Sequence, residues 1–227
     1  MTDEVGTIRA AHLDVAEAAA PVPRAPARTF LRNVAWGWAA VAVNLVIGVV
    51  LAPLIIERLG VARYGLWVLL FSTLEYLRML DFGFRAAVVN ACARFRARED
   101  WAGVSRTLAT ALTYFVIAGA LCCAVPIISS DLALALFKVP LELRGEAQTL
   151  IAIIAVTVGL RLVLSPLTAT LEAFQRFDLV NRAYISALVV RSAGSLVLLL
   201  AGYGLVEMAL VILFAQAGES AWNLVSV

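Results

Sequence analysis

Four charges at helical spacing pose the first chemical question. In "FSTLEYLRMLDFGFRAAVVN", Phe71 to Asn90, the residues Glu75, Arg78, Asp81 and Arg85 follow one another at intervals of three, three and four, so on a single helix they share one face. Their neighbours are those of a membrane span, where a central charge costs roughly 2.5–3.5 kcal/mol on insertion scales. That face must therefore turn to a bundle interior or to water. Two chemistries suit it. Guanidinium groups offer a planar fork for a phosphate-like anion, and Glu75 and Asp81 are placed to exchange a proton or cation against the charge of Arg78. The plainer alternative is that Glu75, Arg78 and Asp81 neutralise one another and set helix packing, while Arg85, nearer a membrane face, snorkels to it.

Two further arginines, Arg161 and Arg191, lie in apolar runs with no acidic residue three or four positions away. Each needs a partner from another helix, and Glu75, Asp81 or Glu219 would serve. The functional alternative is that positive charge held at mid-membrane binds an anionic ligand. Counting Glu75, Asp81 and Glu219 against Arg78, Arg85, Arg161 and Arg191 leaves a surplus of one positive charge among these groups.

The elements that must carry these residues follow from composition. Of 227 residues, 63% are hydrophobic and the mean hydropathy is +0.93, more apolar side chain than a water-soluble fold of this size can bury. Apolar stretches of about 20 residues, the length that about 30 Å of hydrocarbon demands, recur at about 34–56, 64–90, 106–129, 148–173, 183–201 and 205–225. The expectation is an all-α membrane protein, a six-helix transmembrane bundle over 30–227, preceded by a disordered tail over 1–29 that is rich in Ala, Pro and charge. The sixth span runs to the last residue with no polar tail, which suggests part of a longer assembly.

Orientation comes from arginine. Seventeen of the eighteen basic residues are Arg. With the N-terminus inside, ten of them fall on the cytoplasmic side (Arg9, Arg24, Arg28, Arg32, Arg94, Arg96, Arg98, Arg106, Arg176 and Arg182), against Arg58, Arg63, Lys138 and Arg144 outside, which agrees with the positive-inside rule. Counting 1.5 Å per residue from the expected span ends, Glu75 and Arg161 lie about 16 Å from the outer side and Arg191 about 12 Å from the inner one. The charges thus form a belt from three helices.

Other chemistries lack their parts. Cys92, Cys122 and Cys123 form no CxxC pair and His12 is the single histidine, so no metal site is expected and the cysteines read as small apolar fillers. There is no Walker motif, no HExxH and no nucleophile–base pairing. An enzyme, a cofactor or a nucleic-acid partner is not expected.

Two longer stretches carry a family resemblance. "LGVARYGLWVLLFSTLEYLRMLDFGFRAAVVNACARFRARED" resembles the early region of bacterial polysaccharide exporters, with a Gly-aromatic start, the run Leu80, Asp81, Phe82, Gly83, and a basic loop; "LEAFQRFDLVNRAYISALVVRSAGSLVLLLAGYGL" is similar to their inner loop and fifth span through Gln175, Arg176, Phe177, Asp178 and Asn181. These are lipid-linked oligosaccharide flippases of the multidrug/oligosaccharidyl-lipid/polysaccharide exporter superfamily, and the resemblance covers about residues 30–227. It implies one lobe of a two-lobe transporter working by alternating access. The implied cargo is an anionic polyprenyl-diphosphate-linked oligosaccharide, moved across the inner (plasma) membrane for surface polysaccharide assembly. The family's cationic cavity fits Arg78, Arg161 and Arg191 as diphosphate-binding residues, with Glu75 and Asp81 as coupling or charge partners. The resemblance covers the first lobe of such a transporter, which a homodimer, a partner chain or a truncated gene would each explain. A drug/cation antiporter of the same superfamily and a non-transporting membrane scaffold or accessory subunit are the alternatives.

Overall fold

The computed structural model describes residues 45–77 and 83–226, with side chains described up to residue 72 and again from 83. Arg78 and Asp81, the N-terminal tail and most of the first expected span lie outside these residues; Glu75 is in a described helix, but its side chain is not described.

The described residues are helical, without strands. Residues 45–59 form α1, followed by α2 (Val61–Leu77), α3 (Phe84–Ala97), α4 (Trp101–Ile128), α5 (Ser130–Leu136), a 3₁₀ turn at Leu141–Leu143, α6 (Arg144–Ala173), α7 (Phe177–Leu200) and α8 (Leu205–Ser226). Four of them, α4, α6 with the preceding turn, α7 and α8, are long and apolar enough to cross a membrane. They coincide with the runs expected over 106–129, 148–173, 183–201 and 205–225.

The expected single span over 64–90 differs. α2 ends at Leu77, and Gly83 caps the start of α3 with φ +77, a left-handed conformation that only glycine adopts without strain. Arg85 therefore belongs to a separate helix and not to the face that carries Glu75. The polar joint expected after residue 129 also has structure: α5 buries Leu134 and the turn after it buries Val139, because "LALAL" is apolar enough to pack on the bundle.

Sharp helix ends have a common construction. Glu99, Lys138, Gln175 and Gly202 have φ between +52 and +87, and the next residue's N–H reaches back five positions: Asp100 to Phe95, Val139 to Leu134, Arg176 to Leu171, Tyr203 to Leu198, at 2.9–3.0 Å. This closes the last helical turn on itself. Asp100 then caps α4, its Oδ1 accepting from the Gly103 N–H at 2.8 Å. Asp100→Ala is expected to lower stability by about 1 kcal/mol, measurable as a reduced thermal midpoint of the detergent-solubilised protein.

The axis of the bundle is α6, whose buried residues run its whole length from Ala147 to Ala173. Two apolar clusters use opposite ends of it. One joins Ile55, Leu66 and Leu70 to Leu150, Ile154, Leu199, Leu205 and Met208. The other joins Val88, Cys92, Val104, Phe115 and Cys122 to Leu162, Ala169 and Ala173. At the first end Arg63 Nε donates to Glu146 Oε2 at 3.0 Å; at the second, the guanidinium of Arg96 lies 4.7 Å from the Phe174 ring centroid, with Trp101 edge-on to the same ring. Helix α8 packs closely on both α6 and α7, which meet each other only sparsely. The outer surface is apolar: Ile117, Leu121, Val125, Val189, Val197 and Phe214 are all exposed, as a lipid-facing surface requires.

Candidate functional site

Because α8 holds α6 and α7 apart, a cavity opens between the three helices toward the end where α6 finishes and α7 begins. Its volume is about 220 Å³, and Arg85 and Arg161 line it with Asn181, Tyr184, Glu219 and Asn223. Reckoned along the helices, the lining runs from about 5 Å below that end, at Val180 and Asn223, to about 18 Å, at Arg161. The walls are unusually polar for such a bundle. On α8, Gln216, Glu219, Ser220 and Asn223 follow the i, i+3, i+4, i+7 spacing of one helix face, and three of them, Gln216, Ser220 and Asn223, are buried. From α6 come Ser165 and Thr168.

Two cations and one carboxylate, Arg85, Arg161 and Glu219, line this cavity. Arg85 Nη2 bonds Glu172 Oε1 at 2.5 Å, linking the first turn of α3 to the last turn of α6. Arg85, expected to snorkel to the membrane face, is thus paired with a carboxylate 87 residues away in sequence. Arg161 and Glu219 line the same cavity, so one of the partners open to Arg161 by sequence is at hand. Glu172, which is not among the lining residues, adds a further carboxylate beside Arg85.

Arg191 is not among the lining residues. Its guanidinium carbon lies 5.7 Å from the Tyr184 ring centroid, within cation–π range, and Tyr184 lines the cavity. Arg191 therefore touches the site through an aromatic ring. By helical rise Arg161 and Arg191 lie at about 18 and about 21 Å from the same end. The structure thus brings Arg85, Arg161 and Glu219 to one cavity and Arg191 to its edge.

Hydrogen bonds orient the polar wall. Asn223 Nδ2 donates to Thr168 Oγ1 at 3.2 Å, and Gln216 Nε2 lies 3.4 Å from Ser220 Oγ. Asn223 is only 3% exposed, and its Oδ1 has no hydrogen-bond partner among the described residues. Sequence reasoning passed over Asn223, Ser220, Gln216 and Thr168. The signal was present in "QAGESAWN", where four polar side chains fall on one face of an apolar helix.

The cysteines have the filler role expected of them. Cys92 and Cys122 are buried, and Cys123 Sγ donates to Ala155 O at 3.3 Å. Burial raises the Cys92 thiol above its usual range, partly offset by a hydrogen bond with Thr170, which keeps it protonated and unreactive near neutral pH. Among the described residues, no group of three or more His, Cys, Asp or Glu side chains is placed to hold a metal ion.

Comparison with known proteins finds no matching family model, no matching curated protein and no matching solved structure.

Proposed function

We propose that the chain is a transmembrane lobe that holds the anionic group of a polyprenyl-diphosphate-linked oligosaccharide, as part of a flippase in the inner (plasma) membrane with its N-terminus in the cytoplasm. The observation that carries this reading is the convergence of Arg85 and Arg161, from separate helices, on a polar cavity in a bundle with an apolar exterior. The resemblance of residues 30–227 to polysaccharide exporters supplies the cargo class. In this reading six helices make the lobe, Arg78, Arg161 and Arg191 bind the diphosphate, and Glu75 and Asp81 couple binding to a proton or cation gradient. Alternating access needs a second lobe for this one to rock against.

The cavity has room for about seven water molecules at about 30 Å³ each. That suits a phosphate group and one small unit beside it, so the rest of the glycan lies outside and the polyprenyl tail stays in lipid. Glu219 lines the same cavity as Arg161, so the anion binds beside a carboxylate. A guanidinium has five donors, enough to hold a carboxylate and a phosphate together.

One observation favours the scaffold alternative. The Arg85–Glu172 pair ties α3 to α6 and would fix helix packing without any ligand. The two readings separate at Arg161. In nanodiscs, binding of a fluorescent polyprenyl diphosphate is expected to weaken at least about tenfold on Arg161→Ala and to weaken in the parent protein as salt rises. A scaffold predicts lower thermal stability in the variant and no salt-dependent binding in either protein; that result rejects the proposal.

A further inference from the structure

A groove of about 360 Å³ lies between α3 and α4 and shares no residue with the cavity of α6, α7 and α8. The two helices fold back on each other at the turn through Glu99 and Asp100. Their walls are low because the facing residues are small, Ala87 and Ala91 on α3 and Ala111 on α4. The rings of Phe84 and Tyr114, stacked at 4.2 Å between centroids, mark the end farthest from the turn. Along the groove the polar side chains are already used: Thr107 Oγ1 donates to the Gly103 carbonyl at 2.8 Å and Thr110 Oγ1 to the Arg106 carbonyl at 2.9 Å. Arg106 is the one charged residue in the lining. Among the described residues, no carboxylate is within ion-pairing distance of it.

The order of these groups matches the order of groups in a lipid. Trp101, which opens α4 and is 60% exposed, is the residue type that sits at headgroup level. Arg106 lies about 7.5 Å further along the helix, within reach of the headgroups for a side chain that snorkels, and Tyr114 about 12 Å beyond it. The groove thus offers a cation near the membrane surface and an apolar slot beneath. The field at this end is positive as well, with Arg94, Arg96, Arg98 and Arg106 against Glu99 and Asp100, which opposes a headgroup that carries its own cation. We propose that the groove seats one acyl chain of an anionic glycerophospholipid, with its phosphate on Arg106. Its occupant does not depend on what the cavity between α6, α7 and α8 binds.

The test uses the full chain in vesicles of equal phosphatidylglycerol and phosphatidylcholine with matched acyl chains. The protein is extracted in mild detergent, and the lipids it retains are counted by native mass spectrometry. Phosphatidylglycerol is expected to be retained over phosphatidylcholine by about fivefold or more, the effect of one arginine near a membrane surface. Arg106→Gln lowers that ratio about fivefold. Arg98→Gln removes the same charge from the turn, outside the groove lining, and lowers it less. Ala87→Phe fills the slot at an exposed position with every charge kept, and reduces the lipid retained. No preference in the parent protein, equal losses from Arg106→Gln and Arg98→Gln, or undiminished retention in Ala87→Phe overturns the proposal. So does a parent protein that appears as a dimer without lipid and becomes monomeric on Ala87→Phe, since a second copy then covers the groove.

Discussion

Replacing Gly159 with leucine prevents α4 and α6 from packing, and the variant is expected to leave the membrane as aggregate or to lose its thermal transition. The two helices approach through small residues spaced four apart, Gly119 and Cys123 on α4 against Ala155 and Gly159 on α6, the arrangement that lets backbones meet in a bilayer where hydrophobic burial gives no drive. A Cβ built on Gly159 collides with Cys123 Sγ and comes within 3.0 Å of the Gly119 carbonyl oxygen; one built on Gly119 comes within 3.0 Å of the Gly159 carbonyl. The sulfur can rotate aside, but the carbonyl belongs to a helix backbone and cannot. Alanine at 159 is therefore expected to destabilise by about 1–3 kcal/mol, and leucine by more. Cys123→Ala in the Gly159→Ala background relieves the clash with sulfur and recovers part of the loss, the backbone conflict remaining. The check is the fraction of monodisperse protein on size exclusion and the thermal midpoint across the four chains. A Gly159→Leu protein as stable as its parent would show that this close approach does not exist.

Phe115→Ala is the second large effect. The ring is fully buried at 0% exposure, surrounded by Val88, Cys92, Val104, Ala111, Leu162 and Ala169 and standing edge-on to Tyr114 at 5.2 Å between centroids. In lipid the transfer term that usually dominates such a truncation is small, because the unfolded side chain also sits among hydrocarbons. What remains is the cavity left behind, at ~24 cal/mol per Å³ of unfilled volume. On that term alone the loss is about 2–3 kcal/mol, and the thermal midpoint is expected to fall by about 4–12 °C. Phe115→Leu, which keeps most of the volume, is expected to lose much less. Equal midpoints for the alanine and leucine variants would place Phe115 at the lipid surface and not in the core.

The long helices were legible because an apolar run of span length has one economical conformation in hydrocarbon. The helix Arg144–Ala173, for example, follows directly from "AQTLIAIIAVTVGLRLVLSPLTATLEA". The break before α3 was not, since the residues up to Asn90 keep the composition and charge spacing of a helix. Its one local mark is Gly83, and a lone glycine fits a helix interior or an end equally well by sequence. The site was half legible. Buried arginines announce themselves by type, and Glu219, one of the three partners open to Arg161 by sequence, lines the same cavity. The ion pair of Arg85 with Glu172 and the bond of Asn223 to Thr168 join residues 87 and 55 positions apart, and only tertiary packing brings them together. Arg78 and Asp81 lie outside the described residues, as does the side chain of Glu75, so their place relative to the cavity stays with the sequence argument.

The unequal reach of the two apolar clusters along the chain has a consequence for biogenesis. Among the described residues, the cluster around Phe115 draws on residues 88 to 174, so α3, α4 and α6 can close as soon as α6 has left the ribosome. The other waits for Leu199, Leu205, Met208 and Ala209. Since chains assemble in order of synthesis, the nascent protein has one finished cluster while Ile55, Leu66 and Leu70 have only their α6 neighbours, and α8 is the last of the described helices to seat itself, against a partner already in place.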